Sequence, residues 1–379
     1  MKADASKKTI LSLIQGSKFK SINQMIRHFQ DRYPKKYFYK PVGIEVEVTN
    51  LCNLRCQGCP ILMDKYSTSD ILRGDRIVNV LKGLKDTGIF AYSLTGGEVS
   101  LKFETALKIL SADHGLDIYK YNTNGSFFNT VTKTVKYLTA LKKAGFSGKN
   151  KYIKPVFVVS IGQQNQAGLP LQNAVNVMSQ FYKIFDVNKV VFSLNVTDKN
   201  LLLARKIYQD FTRLYKKNTG EKFNERLFKV RLFTLNNIDT LRRLRMPLGE
   251  NTTIPELLKD YKNNYLSGGC FNIKAKNTGN DERAETLIPR IVLRPNGDVY
   301  TCQGYSYVHL AGNILRKPLE SIIETVNRND IYKTIFTKNL AGLYQLALKK
   351  NPKVKNLILK SAYDPCDLCK VLTASLTKG

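Results

Sequence analysis

Between residues 42 and 235 the sequence alternates short apolar runs with stretches of helical periodicity, and this rhythm restricts the fold more than any other feature. Strand-like runs occupy residues 42–48, 90–94, 118–122, 156–161, 190–196 and 229–235, and helix-forming stretches at 76–85, 101–112, 130–144, 171–185 and 201–217 separate them. Strands that alternate with helices pair in parallel through right-handed crossovers. Six βα units are too few for a closed eight-fold barrel, so the expected fold is α/β with a partial, open barrel.

Beyond residue 250 or so the rhythm breaks. Residues 288–293 and 299–302 flank Pro295-Asn296-Gly297-Asp298, and Asn-Gly between apolar runs supplies the positive φ of a tight turn, so a β-hairpin is expected. Helical patterns follow at 319–326 and 340–348, and the chain closes on a Cys366-x2-Cys369 pair. Residues 1–40 are basic with weak helical spacing, at Ile10, Leu13 and Ile14 and again at Ile22, Met25 and Ile26. One or two short helices packed under the barrel are expected there, in preference to a basic amphipathic surface helix. The expected domains are therefore an N-terminal helical extension over 1–40, the partial barrel over 41–240 and a small C-terminal α+β domain over 241–379. No internal repeat or low-complexity tract interrupts them.

The chain has seven cysteines, an odd number with no secretory signal before it, which argues against a disulfide framework. With no run of 18 uncharged apolar residues and no apolar signal region, a protein without a transmembrane segment, located in the cytoplasm, is expected. By spacing the cysteines fall into three and four. Cys52, Cys56 and Cys59 lie within eight residues on the loop after the first strand. Three thiolates so close converge on one centre only if the loop wraps around it. Zinc prefers a fourth protein ligand, whereas a 4Fe-4S cluster held by three cysteines leaves one iron open. No fourth ligand is near, since His28, the nearest histidine, precedes the strand.

The C-x3-C-x2-C spacing after a strand ending Glu47-Val48-Thr49-Asn50, in register with Thr95-Gly96-Gly97-Glu98 after the second strand, resembles the radical S-adenosylmethionine (radical SAM) enzymes. The resemblance covers residues 40–240 and implies a partial (β/α)6 barrel with its cluster in the first βα loop. It implies that Cys52, Cys56 and Cys59 ligate three irons and that SAM chelates the fourth. Gly96 and Gly97 would then let the backbone approach the methionine moiety, which a Cβ would block, and Glu98 would accept from the SAM ammonium. Ser160 and Asn195, at strand ends where barrel enzymes place ligand contacts, are implied SAM contacts. The Thr123-Asn124-Gly125 turn also resembles the family, although turn chemistry alone accounts for it. The residue before the third cysteine departs from the family pattern: Gly58 stands where a bulky residue usually meets the adenine, so adenine packing must come from elsewhere.

Cys270, Gly297-x4-Cys302, Gly312-Asn313-Ile314 and Cys366-x2-Cys369 follow in an order that resembles the twitch and SPASM extensions of the same enzymes. Four cysteines allow one auxiliary 4Fe-4S cluster, fully ligated and suited to electron transfer. A four-cysteine zinc staple remains the alternative for Cys270, Cys302, Cys366 and Cys369.

Sixty Lys and Arg against thirty Asp and Glu give a formal charge of +30, while a hydrophobic fraction of 43% excludes a disordered polycation. The imbalance creates a potential that attracts anions. It fits a peptide or an anionic small molecule, such as a sugar or nucleotide derivative, as substrate. Nucleic acid is the minor option, because no recognised module is present. The resemblance implies reductive cleavage of SAM to a 5'-deoxyadenosyl radical, hydrogen abstraction from a substrate C–H bond, an oxidative net reaction, and an electron donor such as flavodoxin or ferredoxin. Epimerisation fits less well, because with seven cysteines as ligands none is left to return a hydrogen atom. The three histidines, His28, His114 and His309, and the tyrosines Tyr305 and Tyr307 supply no identifiable general base, so no catalytic residue is assigned. A non-catalytic iron-sulfur or zinc protein that binds RNA or an acidic partner is the reading from another class.

Overall fold

The computed structural model describes residues 21–55, 72, 74–84, 87–148, 153–161, 170–185, 189–196, 204–224, 228–232, 289–302, 310–354 and 365–377. Six parallel strands, β1 (Gly43–Glu47), β2 (Ala91–Thr95), β3 (Asp117–Thr123), β4 (Val156–Ser160), β5 (Lys189–Val196) and β6 (Phe228–Leu232), lie side by side in chain order. Helices α1 (Ile22–Gln30), α2 (Gly74–Gly83), α3 (Phe103–Ser111), α4 (Val131–Lys143), α5 (Gln172–Ile184) and α6 (Ala204–Thr219) precede or connect them. This is the partial (β/α)6 barrel that the rhythm predicts, and each element falls within a few residues of its expected place.

Alternation decides which side chain meets the helices. Ile44 and Val46 of β1, Leu94 of β2, Tyr121 of β3 and Phe157 and Val159 of β4 join Ile77, Leu81, Ile109, Leu138, Leu141 and Phe181 in one core between sheet and helices. The intervening residues face the barrel interior, where Val156, Val158 and Val191 form a small apolar patch. A register shift between β2 and β3 leaves Lys120 opposite Ser93, on the interior face. α1 packs Met25, Ile26 and Phe29 against Val42, Phe90, Ala91, Tyr119 and Ile153, closing the end of the barrel where the strands begin. The expected placement under the barrel holds for α1, whereas Ile10, Leu13 and Ile14 lie outside the described residues.

Capping residues fix where the helices start and stop. Thr130 accepts a hydrogen bond from the backbone N–H of Lys133 at 3.2 Å to open α4. At the other end Gly145, at φ +102°, lets the Phe146 N–H return to the Leu141 carbonyl at 3.0 Å.

The C-terminal hairpin joins the same sheet. β7 (Arg290–Leu293) pairs in parallel with β1, β8 (Asp298–Tyr300) is antiparallel to β7, and β9 (Leu310–Asn313) is antiparallel to β8. The turn is as expected: Gly297 has φ +86° and Asn296 Oδ1 accepts from the Asp298 N–H at 3.0 Å. Helix α7 (Leu319–Arg328) covers β9, and α8 (Asp330–Lys350) is much longer than the 340–348 pattern predicts, because Asn329 caps its start by accepting from Ile331 and Tyr332. α9 (Pro365–Thr377), packed on α8 through Leu372 and Leu376, was not expected from periodicity. Among the described residues no helix is long and apolar enough to cross a membrane.

Candidate active site

The loops that follow β1, β2 and β3 meet at the carboxyl end of the sheet. Val48 N–H donates to the Thr95 carbonyl at 2.8 Å, Gly97 N–H to Thr49 at 2.7 Å and Glu98 N–H to Leu51 at 2.8 Å, so the Gly-Gly-Glu loop and the cysteine loop are zipped together backbone to backbone. Glycine is needed at both positions for this contact. A Cβ on Gly96, which has φ +133°, would stand 2.4 Å from the Thr49 carbonyl oxygen, and one on Gly97 would stand 2.1 Å from that of Leu51. The observed constraint on the two glycines is therefore the neighbouring cysteine loop.

Glu98 is 1% exposed. Its Oε1 accepts from the Ser100 N–H at 3.0 Å, the Ser100 hydroxyl and the Thr123 hydroxyl at 2.8 Å, while Oε2 accepts from the Asn124 N–H at 2.6 Å. It thereby caps the 3-10 turn Val99–Lys102 and ties the β2 loop to the β3 turn. Burial raises its pKa, and these hydrogen bonds pull the other way. Behind it lies a hydroxyl chain: Tyr137 donates to Ser100 at 3.3 Å and meets Tyr121 at 2.6 Å, and burial raises the pKa of both tyrosines.

Cys52, half-buried on the first loop, accepts at Sγ from the Leu54 N–H at 3.4 Å and from Asn124 Nδ2 at 3.8 Å. N–H donors aimed at sulfur suit a thiolate, so the one described member of the triplet fits a metal-ligating role. Cys56 and Cys59, like Gly58, lie outside the described residues. Ser160 ends β4 and is half-buried, and Asn195 stands one residue before the end of β5. The sheet thus gathers Cys52, Gly96, Gly97, Glu98, Ser160 and Asn195 at one end.

Below these loops the barrel interior is charged. Glu45 and Glu47 of β1 are fully buried, and so are Lys120, Arg290 and Arg294. Glu45 Oε2 lies 3.3 Å from both Lys120 Nζ and Arg290 Nε, and Glu47 Oε2 lies 3.9 Å from Arg294 Nε. The Arg294 guanidinium also stacks over Tyr300, its carbon 4.3 Å from the ring centroid. No motif in the sequence marks these residues. The signal was present in Glu45 and Glu47, because a parallel sheet is covered on both faces and alternating carboxylates in one of its strands imply an enclosed polar face.

Of the second cysteine group, Cys302 and Cys369 both neighbour Tyr332 of α8. Burial first raises the pKa of that tyrosine, a hydrogen bond with Thr301 lowers it, and Cys369 and then Cys302 raise it. Cys302 acts in the same way on Tyr39. Cys366 lies in the first turn of α9, one turn before Cys369, and Cys270 lies outside the described residues. Tyr300 is level with Val292 and hence with Glu45, so Cys302 falls at the amino end of β1. Cys52 follows the opposite end. The five residues of β1 separate the two levels by roughly 17 Å along the strand. Among the described residues no three His, Cys, Asp or Glu side chains are grouped as a preformed metal site. Of the candidate general bases, His114 is structural, its ring hydrogen-bonded to the Ile109 carbonyl at 3.1 Å and the Leu116 N–H at 3.2 Å, His28 is exposed on α1, and Tyr305, Tyr307 and His309 lie outside the described residues.

No protein-family model matches the chain. Among curated proteins it is similar to the GTP 3',8-cyclase of Vibrio vulnificus, with 28% identity over 131 residues that make up 33% of this chain and 36% of that one. It is also similar to the GTP 3',8-cyclase of Moorella thermoacetica, with 31% identity over 122 residues, 31% of this chain and 36% of that one. The matches therefore span little more than a third of the length of these curated relatives. Among solved structures, Streptococcus suis SuiB bound to S-adenosylmethionine aligns with a TM-score of 0.48 and 15% identity, covering 85% of this chain and 75% of that one.

Proposed function

We propose that this chain, a member of the radical SAM superfamily, is an enzyme that cleaves S-adenosylmethionine reductively and uses the product to oxidise a substrate held in the charged barrel interior. The observation that carries the proposal is the zipping of the Gly-Gly-Glu loop to the cysteine loop, which brings two motifs far apart in sequence together at the carboxyl end of the barrel. When bound, the cluster and SAM supply a 5'-deoxyadenosyl radical able to attack an unactivated C–H bond.

The protein's own residues bind, orient and shield. Cys52, Cys56 and Cys59 hold the cluster. Gly96 and Gly97 keep the β2 loop against its rim, and Glu98 acts through the backbone by fixing that loop to the β3 turn. Its carboxylate already accepts four protein hydrogen bonds, so contact with the SAM ammonium would fall to the remaining acceptor capacity of Oε2. Ser160 and Asn195 complete the rim. α1 shuts the far end of the barrel against water.

Cys302, Cys366 and Cys369, with Cys270, bind the auxiliary 4Fe-4S cluster at the level of the amino end of β1. Held there, such a cluster would supply a one-electron acceptor, so the expected net reaction is oxidative, a dehydrogenation or a bond formation. The interior surface, with Lys120, Arg290 and Arg294 against two carboxylates, favours an anionic small molecule or an acidic peptide. A flavodoxin or ferredoxin supplies the first electron, in the cytoplasm. The test is anaerobic reconstitution with iron and sulfide, then incubation with SAM and dithionite. Formation of 5'-deoxyadenosine that disappears in Cys52→Ala supports the proposal, and its absence from the fully reconstituted protein rejects it.

A further inference from the structure

In the proposed function Asn124 takes part only through its backbone N–H, yet its side chain is held from several sides beside Cys52. Its backbone N–H is held by Glu98 Oε2 at 2.6 Å, and its Oδ1 accepts from the Ser126 N–H at 2.9 Å. That leaves the amide nitrogen, which has two hydrogens to donate. Asn53 Oδ1 takes one at 2.9 Å and Cys52 Sγ takes the other at 3.8 Å. The residue is 5% exposed, so no competing water reaches most of it.

We propose that Asn124 tunes the reduction potential of the centre ligated by Cys52, by donating an N–H···S hydrogen bond to that thiolate from a side chain that Glu98, Asn53 and Ser126 lock in place. The inference rests on the reading of Cys52 as a cluster ligand. A reduced cluster carries one more negative charge, part of it on the ligand sulfurs. A donor aimed at sulfur therefore stabilises the reduced form more than the oxidised form and raises the potential. The Leu54 N–H gives Cys52 a second donor from within the cysteine loop itself. The Asn124 bond instead crosses from the β3 turn, which the Glu98 carboxylate anchors. Loss of order in the Gly-Gly-Glu loop would thereby reach the cluster as a change in potential.

The test is a potentiometric titration by electron paramagnetic resonance of the reconstituted full-length protein, following the signal of the reduced cluster that Cys52→Ala abolishes. Asn124→Ala removes the donor, and Asn124→Asp keeps the acceptor for Ser126 while replacing the donor with a carboxylate oxygen. Both are expected to shift the midpoint to more negative potential, Asp further than Ala, by up to about tenfold in the reduction equilibrium for Ala, or ~59 mV for a one-electron couple. A midpoint that stays in place or moves positive overturns the proposal. Failure of both variants to hold the cluster also overturns it, since Asn124 would then build the site and not tune it. A wild-type protein without a signal that depends on Cys52 would instead reject the reading on which the inference rests.

Discussion

Replacing Gly97 by alanine tests the zipped loops where they tolerate least. The new Cβ would stand 2.1 Å from the Leu51 carbonyl oxygen, 2.6 Å from its carbon and 2.9 Å from the Asn50 carbonyl oxygen. Since all three are backbone atoms, no side chain can rotate away. Restoring ordinary contact requires the loops to part by about 1.3 Å. The hydrogen bonds from Gly97 to Thr49 and from Glu98 to Leu51, at 2.7 and 2.8 Å, would then exceed bonding distance. Overpacking of this kind costs about 1–3 kcal/mol, and each lost hydrogen bond adds about 0.5–1.5 kcal/mol. Together they amount to about 2–6 kcal/mol, a large share of a typical folding free energy of about 5–15 kcal/mol.

The assay is urea unfolding together with iron content after anaerobic reconstitution. Gly97→Ala is expected to lower the urea midpoint by about 0.5–2 M and to reduce the iron bound at the first site. Gly83→Ala is the control, because a Cβ there meets nothing within 4 Å and gains helix propensity. Its midpoint should stay level or rise slightly. A Gly97→Ala protein that unfolds at the wild-type urea concentration and keeps its full iron would refute the argument.

Two further outcomes follow from buried and titrating groups. Tyr137→Phe removes the partner of the buried Tyr121 hydroxyl, 2.6 Å away, and should cost about 1–3 kcal/mol; the double change with Tyr121→Phe should cost little more, and strict additivity of the two single changes in denaturant unfolding would show the pair to be uncoupled. Although His28 is exposed on α1, partial desolvation of its ring beside Phe29 first and then Arg32 lower its pKa from 6.5, with Asp31 opposing them, so its C2 proton should titrate below that value in nuclear magnetic resonance. Because the folded pKa lies below the unfolded one, the stability that His28 contributes is present above 6.5 and is lost as the pH falls through the folded pKa. A midpoint at or above 6.5 would contradict the assigned environment.

The sequence made the parallel architecture legible because apolar period and helix length repeat so regularly from β1 to β6. The candidate site was legible as a pattern because cysteine spacing and the Gly-Gly-Glu motif are both local; the backbone contacts between their loops were not legible. What it concealed was pairing at a distance. Nothing in residues 288–293 says that β7 lies beside β1, since a strand inserted next to the first strand and a strand in a separate sheet share one pattern. The ion pairs from Glu45 and Glu47 to Arg290 and Arg294 follow from that placement and were hidden with it. The smallness of Gly97 is visible in the sequence, but its contact with the Leu51 backbone is not, because that contact depends on how the β1 and β2 loops meet. Helix α9 left a local sign that periodicity alone passes over, for Pro365 after Asp364 begins a helix and Leu368, Leu372 and Leu376 repeat every four residues. The +30 charge remains the least specific feature, because charge in sequence fixes a sign and a strength but not the surface on which it acts.

The central claim is that the loop after β1 holds a cluster with one iron open to SAM, next to a Gly-Gly-Glu loop built to receive it. Electron paramagnetic resonance of the reduced, reconstituted protein with and without SAM tests it most directly. A reduced 4Fe-4S signal whose shape changes when SAM is added, in wild type and in the Cys302→Ala, Cys369→Ala protein, and that is absent from Cys52→Ala, is the predicted result. A signal that ignores SAM, or that survives Cys52→Ala unchanged, would contradict the account.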